Sequence, residues 1–556
     1  MNTSRWTKGM KDSAATPEPV TRAPRRAGLW IAGVAVAGVL ASGCGDLSSA
    51  AALGASMNVS RATADSASPN AGDRFQYVGT NPFVMAEHDP LSTFAVDVDT
   101  ASYDYLRRSV LQYEDLPPRE SVRLEEYVNY FRYDYPSLPP TSEEPFSVTL
   151  EAAPSPFDDT TIVRVGLHGK DAPTVEPKPA NLVFLVDVSG SMSASNKLPL
   201  VKVVLRETVD VLLPGSRVAL VTYASSPGTP LPSTPVEERA KILSAIDRLE
   251  AGGSTNGAGG IQAAYEQARA HFIPGGVNHV ILCTDGDFNV GVSDTQELVD
   301  LITEERKSGV TLTALGFGSG NLNDAMMELV SNAGNGFYSL ITDQDQAIVY
   351  ATQRLLATMY IIARDVKVQV AFNPAQVKAY RLLGYEDRAL EDYEFTVDTV
   401  DGGEIGSGHT VTALYEVVLA DGVVPDVPGA PAIEDGPPVT TDDGGVEAPA
   451  LDADVLCEVR LRYKAPDASE EDPATQRDFP LYATDVLGDV ADASPDLRWA
   501  VSIAAFAEIL KDSPFADEAN LPLIETLTTP LAGADPDRAE FLSILAQTRE
   551  LLAAEP

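Results

Sequence analysis

A series of short apolar runs between residues 176 and 360 constrains the fold of this chain most. The runs are NLVFLVD (Asn181 to Asp187), RVALVTYA, HVILCTD, VTLTALGFG and GFYSL, and stretches of helical periodicity separate them. The first such stretch, KLPLVKVVLRETVDVLL, puts Leu198, Val201, Leu205, Val209 and Leu212 three and four residues apart, on one helix face. Strands that are apolar along their whole length have no face for water. They belong to a mostly parallel sheet covered by helices on both sides. The expected fold class is therefore α/β and Rossmann-like. Ligands of such sheets bind beyond the carboxyl ends of the strands. Asp187 and Asp285 each close an apolar run, so both are expected at that edge.

A chain of 556 residues is too long for one core, and it divides by pattern. Residues 79–175 hold strand-like FAVDVDT, helical SYDYLRRSVLQ and RLEEYVNYF, then strand-like FSVTLEAAP and TIVRVGLHG. Residues 176–360 are the α/β unit. Residues 361–493 return to β alternation at VKVQVAF, VTALYEVVL and LCEVRLRYK. A stretch rich in Pro, Gly, Asp and Glu, residues 421–449, interrupts them and is expected to be disordered; it lacks the spaced acids of a calcium loop. Residues 494–556 read as helices. The strands before and after the α/β unit are expected to pair into one β-rich domain, with that unit inserted between them.

The amino terminus carries Arg22, Arg25 and Arg26, then AGLWIAGVAVAGVLASGC. The apolar run of about 15 residues is short for a membrane span. Basic flank, short apolar core and small residues before a break make an export signal, residues 1–43. A cysteine directly after small residues resembles a bacterial lipoprotein processing site, which would leave Cys44 as the lipidated terminus; Ala41 stands where such sites usually carry Leu. Residues 44–78, rich in Ser, Ala, Asn and Gly, then read as a flexible tether. The expected location is the bacterial cell envelope. Beyond Cys44 only Cys283 and Cys457 remain, which is no disulfide framework. The balance of 40 basic against 81 acidic residues, net -41, argues against a nucleic-acid partner. No G-K-[ST] is present, and GFGSGN (Gly316 to Asn321) lacks the last glycine of a dinucleotide fingerprint, so no nucleotide is expected.

The chemistry is concentrated at FLVDVSGSMS. One carboxylate and two alcohols, Asp187, Ser189 and Ser191, alternate at the end of a strand. A hard divalent cation such as Mg²⁺ takes about six oxygens in near-octahedral geometry. Two more oxygens are available on loops at the same edge: Thr255 in GGSTN and Asp285 in TDGDFN. Mn²⁺ suits the same ligands. Two other readings compete. The pattern could be only a helix cap, since Ser and Asp cap well. A serine nucleophile is the other, but VSGSM lacks the G-x-S-x-G elbow, and His279 would lie at the far end of its strand. Asp97-Val98-Asp99 has the paired spacing of haloacid-type phosphatases, with Ala101 where their next characteristic residue stands.

Asp-x-Ser-x-Ser, a loop Thr and a post-strand Asp, in that order, resemble the metal-ion-dependent adhesion site of von Willebrand factor type A domains. STFAVDVDTASYDYLRRSV, LPPRESVRLEEYVNYF, NLVFLVDVSGSM, VILCTDGDFNVGVSD and RWAVSIAAFAEIL together resemble the bacterial YfbK-type von Willebrand A family over roughly residues 79–556. The resemblance implies an A domain between family-specific flanking regions and makes Asp97-Val98-Asp99 a fold element. It implies Ser189 and Ser191 as direct ligands, Thr255 as an exchangeable one, and Asp187 and Asp285 acting largely through water. Neutral direct ligands leave the ion electron-poor, so it attracts a carboxylate from a protein partner. An envelope scaffold with a purely structural metal is the alternative from another class; a hydrolase, and a cytoplasmic partner of an AAA+ chaperone, are weaker ones.

Overall fold

The structure, a computed structural model, describes residues 72–139, 141–171, 178–254, 257–286, 295–355, 359–436, 448–468 and 472–554. Cys44, the expected export signal and Thr255 lie outside them. Before the central unit come strands β1 (Val84–Met85), β2 (Leu91–Ala95), β3 (Phe146–Pro154) and β4 (Thr161–Gly169). Within it are β5 (Ala180–Asp187), β6 (Arg217–Tyr223), β7 (Gly228–Pro235), β8 (Val277–Thr284), β9 (Thr311–Phe317) and β10 (Tyr338–Ile341). After it follow β11 (Ile361–Phe372), β12 (Val377–Leu383), β13 (Gly403–Gly406), β14 (Thr410–Leu419), β15 (Val455–Lys464) and β16 (Thr475–Tyr482).

Strands β5 to β10 form one sheet in the order β10-β9-β8-β5-β6-β7. Every apolar run of the central unit is one of its strands. The pairings are parallel except that of β6 with β7. The sequence hides β7 because Pro230, Pro232 and Pro235 lie in it. Proline lacks the amide proton that a central strand needs, so it is tolerated only at a sheet edge, where β7 sits. Alternate residues of β5 enter different cores. Leu182, Phe184 and Val186 pack with Val201, Leu205 and Val209 of the helix Leu198–Val211. Val183 and Leu185 pack with Ile261 and Ala264 of the helix Gly257–Ala270. Both faces are dry, and each such buried side chain contributes roughly 1.5–3 kcal/mol.

The flanking strands make two further sheets, β1-β12-β14-β4-β3 and β13-β11-β15-β16, with β2 also paired to β11. Strand β4 pairs with β14 from Thr161 to His168, and β2 with β11. Segments on either side of the central unit thus share sheets, as expected, and that unit is an insertion. A Cβ on Gly169 would lie 3.0 Å from Ile362 Cδ1, so the chain leaves and re-enters at neighbouring points. Val163, Val165, Val411 and Tyr415 of one sheet share a core with Val368, Val370, Val459 and Leu461 of the other. This is the interdigitated interior of a β-sandwich.

The other face of the first sheet, at Ile162, Leu383 and Leu414, is covered by the helices Pro495–Leu510, Leu521–Ala532 and Pro536–Ala554. Trp499, Phe506, Phe541 and Phe131 fill that layer. The middle helix carries two prolines: Pro522 falls in its first turn, where no amide donor is needed, and Pro530 lies inside it. Within the acidic stretch, residues 421–436 run as irregular chain pinned to β1, where Met85 N donates to Glu434 O at 2.8 Å. Residues 437–447 lie outside the described ones. Among the described residues no helix is long and apolar enough to cross a membrane.

Candidate metal centre

Asp187 ends β5, a central strand, and Asp285 follows β8, its direct neighbour in the sheet. Both carboxylates are buried at the carboxyl edge of the parallel strands. The turn after β5 is set by Asp187, whose Oδ1 accepts a hydrogen bond from Ser189 N at 2.7 Å. Residues Gly190–Ser193 then form a single tight helical turn. It leaves the Ser189 and Ser191 hydroxyls 2.9 Å apart, with Ser191 exposed to solvent. Thr284 Oγ1 donates to the other Asp187 oxygen at 3.4 Å.

The loop bearing Thr255 is hydrogen-bonded to this turn. Gly252 N donates to Val188 O at 2.7 Å, and Gly190 N donates to Gly253 O at 3.1 Å. Gly253 has φ +95°, a left-handed conformation that suits glycine. The loop is therefore held beside the Ser189–Ser191 turn up to Ser254, and Thr255 itself lies outside the described residues. Gly286 turns the chain after Asp285 with φ +92°, and a Cβ there would lie 2.5 Å from Asn323 N. Only glycine lets the loops after β8 and β9 approach so closely.

Sequence reasoning missed Lys197. It precedes the helix Leu198–Val211 and reads as an ordinary surface lysine, yet it is buried. Its ammonium donates to Asp285 Oδ2 at 2.9 Å and to Asn321 Oδ1 at 2.8 Å. Asn321 closes GFGSGN, which lies at this same edge. Gly318 of that motif makes room for the lysine: a Cβ there would lie 2.3 Å from Lys197 Cε. No periodicity marks these contacts. The signal was only a lysine just beyond the Asp-x-Ser-x-Ser run and a second glycine-rich loop.

The two carboxylates have opposite electrostatics. Burial raises Asp187 to about 6, against its hydrogen bonds from Ser189, and the charge of Asp285 adds to the rise. Burial would also raise Asp285. Hydrogen bonds from Ser191 and Asn321 and the Lys197 ammonium outweigh it and hold the group below its ordinary range. Asp187, Ser189, Ser191 and Asp285 thus converge as an all-oxygen donor set, two carboxylates and two hydroxyls, with an ammonium already drawn to it. That chemistry fits a hard divalent cation, and these are the residues that could hold one.

The remaining candidates lie elsewhere. His279 sits near the start of β8, away from Asp285, with its Nδ1 2.6 Å from Thr311 Oγ1. Cys283 and Cys457 are free and buried. Asp97 and Asp99 line a cavity with Phe337, at the opposite edge of the central sheet.

Comparison with known proteins agrees with this architecture. Residues 69–164 match the family described as von Willebrand factor, and residues 181–353 match von Willebrand factor type A domain. Residues 357–551 match the family described as uncharacterized protein YfbK, C-terminal. The chain is 36% identical over 480 residues to the uncharacterized protein YfbK of Escherichia coli (strain K12), covering 85% of this chain and 80% of that one. It is 28% identical over 170 residues to the uncharacterized protein sll0103 of Synechocystis sp., covering 31% of this chain and 39% of that protein. A solved von Willebrand factor type A protein from Catenulispora acidiphila covers 73% of this chain and 91% of its own, at 16% identity and a TM-score of 0.42. The central α/β unit is a von Willebrand A domain, and the chain belongs to the YfbK family of von Willebrand factor type A proteins.

Proposed function

We propose that this chain is a lipoprotein of the bacterial cell envelope that binds a protein partner through a divalent metal. In this reading Asp187, Ser189, Ser191, Thr255 and Asp285 hold Mg²⁺ or Mn²⁺. A carboxylate of the partner completes the coordination shell. Cys44 carries the lipid, and the residues after it tether the folded body to the membrane; the tether is shorter than the expected 44–78, because Asp73 pairs with buried Arg108 at 2.7 Å and Phe75 packs on Tyr105. The protein is a binder and not an enzyme.

The convergence of two carboxylates and two hydroxyls at the carboxyl edge of the A-domain sheet supports this reading most. Hydroxyl ligands leave the ion short of negative charge, so an outside carboxylate is its natural last ligand. This also accounts for how a chain of net charge -41 could meet an acidic surface: the metal stands between them. Titration calorimetry with Mg²⁺ tests it. Wild type should bind one equivalent at the A domain that Asp187→Ala and Asp285→Ala both lose. Equal binding by Asp285→Ala and wild type would refute it.

A further inference from the structure

The Asp97-Val98-Asp99 and VRLEEYVNYF runs take no part in the centre at Asp187. They meet at the opposite edge of the central sheet, where the A domain rests on the sandwich. Asp99 Oδ1 accepts a hydrogen bond from Tyr338 N at 2.8 Å, at the start of β10. Glu328 comes from the A-domain helix Asp324–Ala333. One oxygen each from Asp97, Asp99 and Glu328 lies within 4.8 Å of the other two. The three residues are only 6%, 2% and 7% exposed. Asp97 and Asp99 also line a cavity of about 230 Å³, together with Asp387, Asp401 and Glu404.

Positive charge does not keep pace with these acids. Arg388 Nη2 reaches Glu328 Oε1 at 2.8 Å, Asp97 Oδ1 at 3.3 Å and Asp99 Oδ2 at 3.5 Å. Arg123 is committed mainly to Glu126 and Asp324. Five carboxylates therefore share two guanidinium groups. Asp97 Oδ2, Asp99 Oδ2 and Glu328 Oε2 are buried without a hydrogen-bond partner. A buried carboxylate oxygen left unsatisfied is costly, and surplus buried charge of one sign more so. Burial and the neighbouring Asp97 charge raise Asp99, and burial brings Glu328 to about 7 despite both arginines. Either protons or a metal ion must relieve such a group.

We propose that Asp97, Asp99 and Glu328 form a second divalent-cation site, for Ca²⁺, that fastens the A domain to the β-sandwich. The ion takes the oxygens left without a hydrogen-bond partner, adding to the charge that Arg388 already brings to Asp99 and Arg123 to Glu328, and the adjoining cavity admits water to complete its shell. Ca²⁺ fits better than Mg²⁺. Ligands from separate chain segments give an irregular set, which Ca²⁺ accepts with six to eight oxygens, whereas Mg²⁺ demands a near-ideal octahedron.

The test is calcium binding by the full chain after EDTA treatment, by calorimetry and by thermal unfolding, with Asp97→Asn, Glu328→Gln and Asp285→Ala. Asp285→Ala should keep a calcium site of wild-type affinity, whatever happens at the Asp187 centre. Asp97→Asn should bind calcium at least about ten-fold more weakly and lose the calcium-dependent rise in unfolding temperature. Glu328→Gln, placed on the other domain, should do the same, which separates a shared ion from a local folding defect. No calcium bound to Asp285→Ala, or undiminished binding by Asp97→Asn, would overturn the proposal and leave the acids relieved by protons.

Discussion

Lys197 Nζ lies 2.9 Å from Asp285 Oδ2, so the carboxylate that closes β8 carries an ammonium as a direct partner. The lysine is buried and packs over Gly318, so it cannot simply swing into solvent. A divalent ion arriving at the same oxygens must work against this fixed positive charge.

Replacing Lys197 by Met keeps the length of the side chain and removes the charge. Mg²⁺ should then bind Lys197→Met about ten-fold more tightly than wild type, a difference of about 1.4 kcal/mol. Titration calorimetry reads this directly. The metal-free variant should also unfold at lower temperature, because Asp285 loses its counter-charge inside the protein.

Gly286 is held at φ +92° with its α-carbon against the loop after β9. Gly286→Ala should destabilise the protein by about 1–3 kcal/mol, through backbone strain and the clash with Asn323 N. Denaturant unfolding measures the loss. Gly252 makes the contrasting control: a Cβ there meets nothing within 4 Å, so Gly252→Ala should change stability much less.

Burial lowers the His279 imidazole from its ordinary value of 6.5 to about 4. Between those values the unfolded chain binds a proton that the folded chain does not. Stability from this residue is therefore full above pH 6.5 and is lost as pH falls toward 4. Unfolding of wild type and His279→Gln at pH 7 and pH 4.5 isolates the effect. The advantage of wild type should shrink by about 2–3 kcal/mol at the lower pH.

Much of this molecule was legible because the relevant signals are local. The strands β5, β6, β8, β9 and β10 are apolar runs bounded by turns, and Asp187, Ser189 and Ser191 are neighbours in sequence. That strands before and after the central unit pair was expected from their alternation; which strands pair, such as β4 with β14, was not. What stayed hidden was either masked by proline or made only by folding. Proline concealed β7, where edge position excuses it. Lys197 meets Asp285, and Asp97 meets Glu328, across 88 and more residues of intervening chain, and neither contact leaves a periodic trace.

Metal-bridged recognition is tested most directly by capture of envelope proteins on residues 72–556, in Mg²⁺, in EDTA, and with Asp285→Ala in Mg²⁺. A partner should be held by wild type in Mg²⁺ and lost in both other conditions. A partner retained in all of them would contradict it and move recognition to the sandwich and the carboxyl-terminal helices.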